Sequence, residues 1–282
     1  MWLLALLLLA DTSRAFSIAL APAESVRVTV GGAGDPVVLI PGLFGSAFGY
    51  RSVLPRLVDA GYRTIVIEPL GIGASARPEH ADYSLTAQAD RVAAALDLLG
   101  VSDAIVIAHS VGAAIAYRLA YRRATTTRGF RRAIQLAPWI KLFGGTRLVR
   151  AKVRRGLIAA SGDTTWVTDQ VVDGYTAGAA RDLDGTLKAY LAMAQARERE
   201  RLAPHLGEIR CPVRLVVGTA GRGSGVSPEE VATLAGLLNS FAVDTVPGAG
   251  HFLYEEQPAA VVAAVNRVHS GDAARLAGPA AP

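Results

Sequence analysis

The run Asp103-Ala104-Ile105-Val106-Ile107-Ala108, followed by His109-Ser110-Val111-Gly112 and a helical stretch to Tyr121, constrains this chain more than any other segment. An unbroken apolar run rich in β-branched residues fits a strand buried on both faces, the habit of parallel sheets. Passing from such a strand directly into a helix needs a tight turn with a strained apex, so the residues two before and two after it must lack bulk. Ala108 and Gly112 meet that need around Ser110. The turn would hold a hydroxyl beside the free N-H groups and the positive dipole end of the helix. Ser110 is therefore the candidate nucleophile.

The rest of the chain repeats the strand-then-helix theme. Ser25–Val30 alternates as a half-exposed strand, and Val37–Ile40 is a buried one. A helix over about Tyr50–Ala60, a strand at Thr64–Ile67, a helix over Leu85–Leu99 and a strand at Ala133–Leu136 follow. The pattern predicts an α/β fold, a mostly parallel sheet with helices on both faces. From Ile140 to Leu206 strands give way to helical stretches such as Leu183–Arg201. The sheet resumes at Val213–Val217. A helix then opens with a serine cap at Ser227-Pro228-Glu229-Glu230, and a strand at Phe241–Val246 and a helix from Gln257 to Val268 close the unit. The division expected is an apolar leader at 1–24, a core in two parts at 25–139 and 207–270, a helical insertion at 140–206 and a tail at 271–282.

Two more segments bear on chemistry. Val37-Val38-Leu39-Ile40-Pro41-Gly42-Leu43-Phe44-Gly45 is a buried strand breaking into a glycine turn. Pro247-Gly248-Ala249-Gly250-His251-Phe252 places a histidine between a strand and the last helix. A serine hydroxyl attacks carbon poorly unless a base takes its proton, and an imidazole with a pKa near 6.5 can take that proton and return it. His251 is the candidate base. In this chain order the segments resemble the α/β-hydrolase family over roughly Val26 to His269. The resemblance implies an α/β-hydrolase fold whose insertion is a helical cap over the site. It implies oxyanion-stabilising backbone N-H groups at Leu43 and Val111, and hydrolysis of an ester-like carbonyl through an acyl-enzyme on Ser110. Phe44 and Trp139 would line the substrate pocket. His109, in similar proteins, points away from the reaction and supports the turn.

The sequence departs from the family in two places. Pro41 stands where the family usually has histidine. The family's catalytic aspartate commonly follows the strand matching Val213–Val217, yet Thr219-Ala220-Gly221-Arg222-Gly223-Ser224-Gly225 contains no carboxylate. The other site used by relatives, after Leu136, reads Ala137-Pro138-Trp139-Ile140 and also lacks an acid. Losing the acid of a triad costs roughly 10⁴-fold in rate. Either a carboxylate arrives from elsewhere, with Asp244, Asp163 and Asp173 as candidates, or a serine–histidine dyad acts alone. The remaining alternatives are a non-catalytic binding protein on the same fold, and a carbon–carbon hydrolase or acyltransferase using the same site.

Composition narrows the partners. The excess of 29 Lys and Arg over 24 Asp and Glu is almost wholly arginine, but no recognisable nucleic-acid module surrounds the basic clusters, so nucleic acid is not expected. These clusters read as solvated helical faces. Gly71-Ile72-Gly73-Ala74-Ser75-Ala76 lacks the third glycine of a dinucleotide fingerprint, no phosphate-loop motif occurs, and the five histidines are dispersed, so no cofactor or metal is expected. The single cysteine, Cys211, opens an apolar strand and excludes an internal disulfide. Met1–Ala10 is an apolar block too short to span a bilayer as an ordinary helix. It resembles the core of a secretory signal, with small-residue cleavage patterns at Ser13-Arg14-Ala15 and Ala21-Pro22-Ala23. Export or loose membrane attachment through this leader is the expectation, with a cytoplasmic location as the alternative. The substrate expected is a small molecule, an apolar ester.

Overall fold

The computed structural model describes residues 13–121, 145–198, 201–220 and 226–271. Its centre is a sheet in the order β1-β2-β4-β3-β5, formed by β1 (Arg14–Ala21), β2 (Glu24–Gly31), β3 (Asp35–Ile40), β4 (Tyr62–Glu68) and β5 (Ile105–Ala108). The strands β4, β3 and β5 run parallel, while β1 and β2 join antiparallel at one side. A second pair, β6 (Val213–Gly218) and β7 (Phe241–Val246), is parallel and lies in register from Val213–Phe241 to Gly218–Val246. The strand expected at Ala133–Leu136 lies outside the described residues.

Burial explains why the central strands read as unbroken apolar runs. In β3, Val38 and Ile40 face one side, packing with Val26, Ile65 and Ile67 against α2 (Leu85–Leu98) and α3 (Val111–Tyr121). Val37 and Leu39 face the other, with Val66, against Leu57 of α1 (Leu54–Asp59) and Val265 of α9 (Pro258–His269). Both faces of one strand are thus dry, so no alternation with polar residues survives.

Among the described residues, three α-helices follow β5 and α3 before β6: α4 (Gly145–Ala159), α5 (Asp169–Arg181) and α6 (Leu183–Gln195). They are not a detached bundle. Val149, Val153 and Leu157 of α4 and Val171 and Val172 of α5 belong to one core cluster of the sheet, and Leu187, Tyr190 and Met193 of α6 belong to the other. Arg150 and Arg154 of α4 pair with Asp169, and Arg150 also with Asp173, all at the surface, as a solvated basic face requires. The serine cap before α7 (Pro228–Leu237) forms a reciprocal box, Ser227 with Glu230.

Two expectations need correction. Arg14–Ala21, read from sequence as the end of a leader, is strand β1, paired with β2 from Arg14–Val30 to Ala21–Glu24. Its signal is an alternation of Phe16, Ile18 and Leu20 inward with Ser17 and Ala19 outward, masked in the sequence by small residues that also fit cleavage sites. Cys211 is exposed before β6 rather than packed within it. Among the described residues no helix is long and apolar enough to cross a membrane.

Candidate active site

Ser110 lies between the last residue of β5 and the first turn of α3, and its φ of 55° is in the left-handed region. Such a backbone angle strains any residue with a Cβ, and the surrounding contacts must hold it there. They do so through the main chain: His109 donates its N-H to Ile40 O of β3 (3.2 Å), Gly112 donates to His109 O (2.9 Å) and Ala113 to Ser110 O (3.0 Å). Gly112 admits no side chain, since a Cβ there would collide with the carbonyl oxygens of Ile40 and Pro41. Ser110 is exposed, and β5 itself is not the fully buried strand expected from its sequence: Ile105, Ile107 and Ala108 are half-buried and Val106 is exposed among the described residues.

The turn after β3 faces it. Gly45 N-H closes onto Gly42 O at 3.0 Å, which puts Phe44 at φ 58°. Of the three non-glycine residues at positive φ among those described, two are therefore Phe44 and Ser110, on the two turns predicted to meet. Phe44 N-H donates to Tyr190 Oη of α6 at 2.9 Å, and the rings stack edge-to-face at 5.0 Å. The N-H groups of Leu43 and Val111 donate to no group among the described residues. They remain available to a ligand. Pro41, in place of the family's histidine, takes no part in these bonds.

His251 arrives from the far end of the chain. Its N-H donates to Ala160 O at 2.7 Å, where the chain leaves α4. Its carbonyl meets Nε2 of His109 at 3.0 Å, and the two imidazoles stack at 4.4 Å between centroids. The carbonyl can only accept, so His109 carries its proton on Nε2. Burial first, then the neighbouring imidazole, pushes the His109 pKa down to about 3, so it is neutral and acts as a strut. The expected supporting role of His109 is thus specific: it ties the serine turn to the histidine loop. Sequence adjacency gave no sign of that long-range partner. Burial also lowers the pKa of His251, with Glu256 acting against the shift. No hydrogen bond joins Ser110 Oγ to His251 among the described residues; the two are linked through His109.

The three aspartates considered as the acid are each engaged elsewhere. Asp244 sits between Arg214 (2.6 Å) and Arg267 (2.8 Å), Asp163 accepts from Thr165, and Asp173 pairs with Arg150. They serve β7, a loop and the α4–α5 surface.

A cleft of about 240 Å³ opens beside the Phe44 turn, walled by Phe44, Phe48, Tyr175 and Tyr190, with Arg181 at α5's end. Its floor includes Glu68, whose carboxylate accepts from Ala47 N-H (2.9 Å) and Ala74 N-H (2.5 Å) and whose pKa burial raises. Glu68 therefore braces two loops. Trp139 lies outside the described residues. No group of metal-ligating side chains occurs among those described.

Residues 37–265 match the alpha/beta hydrolase family, and the chain belongs to that family. N-formylmaleamate deformylase of Pseudomonas putida is 27% identical over 237 residues, 79% of this chain and 84% of its own length. The Klebsiella pneumoniae (strain 342) protein RutD, named as a carbamate hydrolase, is 29% identical over 137 residues. That match spans 49% of this chain and only about half, 50%, of the relative. Among solved structures, the epoxide hydrolase CorEH superposes with a TM-score of 0.76 at 18% identity, covering 92% of this chain and 99% of that one. At that identity the likeness speaks for the fold.

Proposed function

We propose that the protein is a serine hydrolase acting on a small carbonyl substrate of the ester class. Ser110 attacks the carbonyl carbon while His251 takes the hydroxyl proton, and the amides of Leu43 and Val111 receive the oxyanion. Collapse expels the alcohol, which takes the proton back from His251. Water, activated by the same imidazole, then releases the acid and frees Ser110. The observation that carries this reading is the strained Ser110 turn, bonded through His109 to the loop of a histidine that burial keeps as the free base.

The aromatic-walled cleft does not include Ser110 or His251 in its lining; it joins the site at the Phe44 turn, and a substrate acylating Ser110 would extend past Phe44 into it, with the inserted helices as its cap. Relatives named for deformylation and carbamate hydrolysis support cleavage next to a carbonyl without selecting the ester among acyl derivatives. A second reading, a binding protein on the same fold, draws on the lack of any carboxylate bonded to the His251 ring among the described residues. A fluorophosphonate probe separates the two. Labelling of the folded wild type at Ser110, abolished in Ser110→Ala, is the expected result; a folded protein that takes no label would leave only the binding reading.

A further inference from the structure

Both positions where the family keeps its acid are empty of carboxylates in the sequence, and the three spare aspartates are occupied. One carboxylate nevertheless reaches the histidine loop. Glu256, the last residue of α8 (Leu253–Glu256), accepts the N-H of Gly250, the residue before His251, with both oxygens (3.1 and 3.0 Å). Its Oε2 also accepts from Gly162 N-H (2.8 Å) and Asp163 N-H (2.9 Å). The short helix turns the chain back, so the fifth residue after the histidine bonds the residue before it. The second strand of the contact is the 160–163 segment, whose Ala160 O holds the His251 N-H. A Cβ on Gly250 would collide with that carbonyl, which is why the loop needs glycine there.

We propose that Glu256 is the carboxylate that serves His251, a positioning residue acting through the main chain and through its charge rather than through a bond to the ring. This rests on the serine-hydrolase reading above. Pinning the Gly250 amide and the 160–163 segment fixes where the imidazole can point. The negative charge stabilises the imidazolium formed when Ser110 gives up its proton, and that proton stays on His251.

Among the described residues, the groups packed on His251 leave Glu256 as the anion that acts on it. From the serine turn comes His109, neutral; from its own loop, Phe252 at 5.2 Å; from α8, Tyr254, whose ring meets His109, and Glu255, which is held by Arg51 (2.6 Å) and Tyr175 (2.9 Å). On the 160–163 segment, Asp163 is turned to Thr165. The Glu256 charge raises the His251 pKa against the burial that lowers it. Removing the charge must let that pKa fall.

The test uses the full chain, with NMR titration of the His251 imidazole and the pH profile of hydrolysis of p-nitrophenyl acetate. In Glu256→Gln, which keeps an acceptor but no charge, the His251 midpoint is expected to fall by about half to one pH unit. The acid limb of kcat/KM moves down with it, and its plateau drops about 10- to 100-fold with KM nearly unchanged. Glu256→Asp keeps the charge but draws it back, so a smaller fall is expected. If only the Asp variant folds, that fall alone supports the proposal. A midpoint equal to wild type in every folded variant overturns it, whatever happens to the rate. Wild type that neither hydrolyses nor takes the fluorophosphonate would sink the catalytic reading instead, and the titration would still decide whether Glu256 acts on His251.

Discussion

The serine turn and the histidine loop lie against each other yet are built on different principles. The serine turn is anchored to the central sheet: the His109 amide bonds the end of β3, and Gly112 packs on the carbonyls that follow from that strand. The histidine loop rests on the rim, on Ala160 at the exit of α4 and on a carboxylate five residues downstream. One is held by main chain that cannot move without breaking the sheet. The other is held by a helix end and a carboxylate that can, with one main-chain bond, from Ala220 N-H to Ala249 O (2.9 Å), tying it to the exit of β6. A nucleophile needs a fixed point of attack, whereas a base that accepts and returns a proton tolerates a looser mounting.

The largest expected effect comes from the same change made in both regions. Gly112→Ala and Gly250→Ala each drive a methyl into a carbonyl oxygen, of Ile40 in the first case and of Ala160 in the second. Overpacking of this kind costs about 1–3 kcal/mol, occasionally more. Gly112→Ala should fall at or above the top of that range and abolish labelling of Ser110, because the sheet cannot yield. Gly250→Ala should cost about 1 kcal/mol and slow turnover while labelling persists, because the end of α4 can shift. Urea denaturation with probe labelling checks both, and equal losses would erase the distinction between a rigid and a yielding mount.

That distinction also decides what could be read from sequence. The serine turn is local: an apolar run, a serine between small residues and the helix that follows carry its geometry within about a dozen positions, so strand, apex and helix all fell where expected. The histidine was legible from its glycine context, but its supports were not. Glu256 lies downstream of His251, outside the loops where the family keeps its acid, and what makes it relevant is the back-turn of α8. His109 needed a partner 142 residues away, and Tyr190 reaches Phe44 across 146. Contacts of that separation leave no periodicity. The β1 strand was hidden differently, by a pattern with two meanings at Ser13-Arg14-Ala15.

His109 joins the two regions, and pH probes the joint. In the folded chain its pKa is about 3, and in the unfolded chain about 6.5, so between these values the unfolded state binds the extra proton. Stability must therefore rise with pH across this window and fall as the solution is acidified, by about 1.4 kcal/mol per pH unit from this group. The lowered pKa of His251 adds to the slope, while Glu68 and Glu255, whose carboxyl pKa values burial raises above their ordinary range, oppose it from that range upward. His109→Gln retains a donor for His251 O but cannot take up a proton. The difference in unfolding free energy between wild type and this variant, measured from pH 6.5 to 5, isolates the slope, and parallel curves would show that His109 is not the buried neutral strut described.

The smallest effect tests whether the serine side has a soft element of its own. Phe44 sits in the left-handed region, and its N-H is satisfied by a side chain of α6, the Tyr190 hydroxyl, whose pKa burial pushes up to about 12. Tyr190→Phe keeps the ring against Phe44 and removes only the acceptor. A buried N-H left without a partner costs about 1–3 kcal/mol, and since the turn can relax toward the cleft the loss expected is near 1 kcal/mol. The turn also sets the direction of the Leu43 amide, so on the proposed mechanism kcat should fall a few-fold while KM stays close to wild type. A loss of stability with kcat untouched would mean that the sheet alone orients Leu43, placing the whole nucleophile side on the rigid mount and leaving the soft contacts to the histidine.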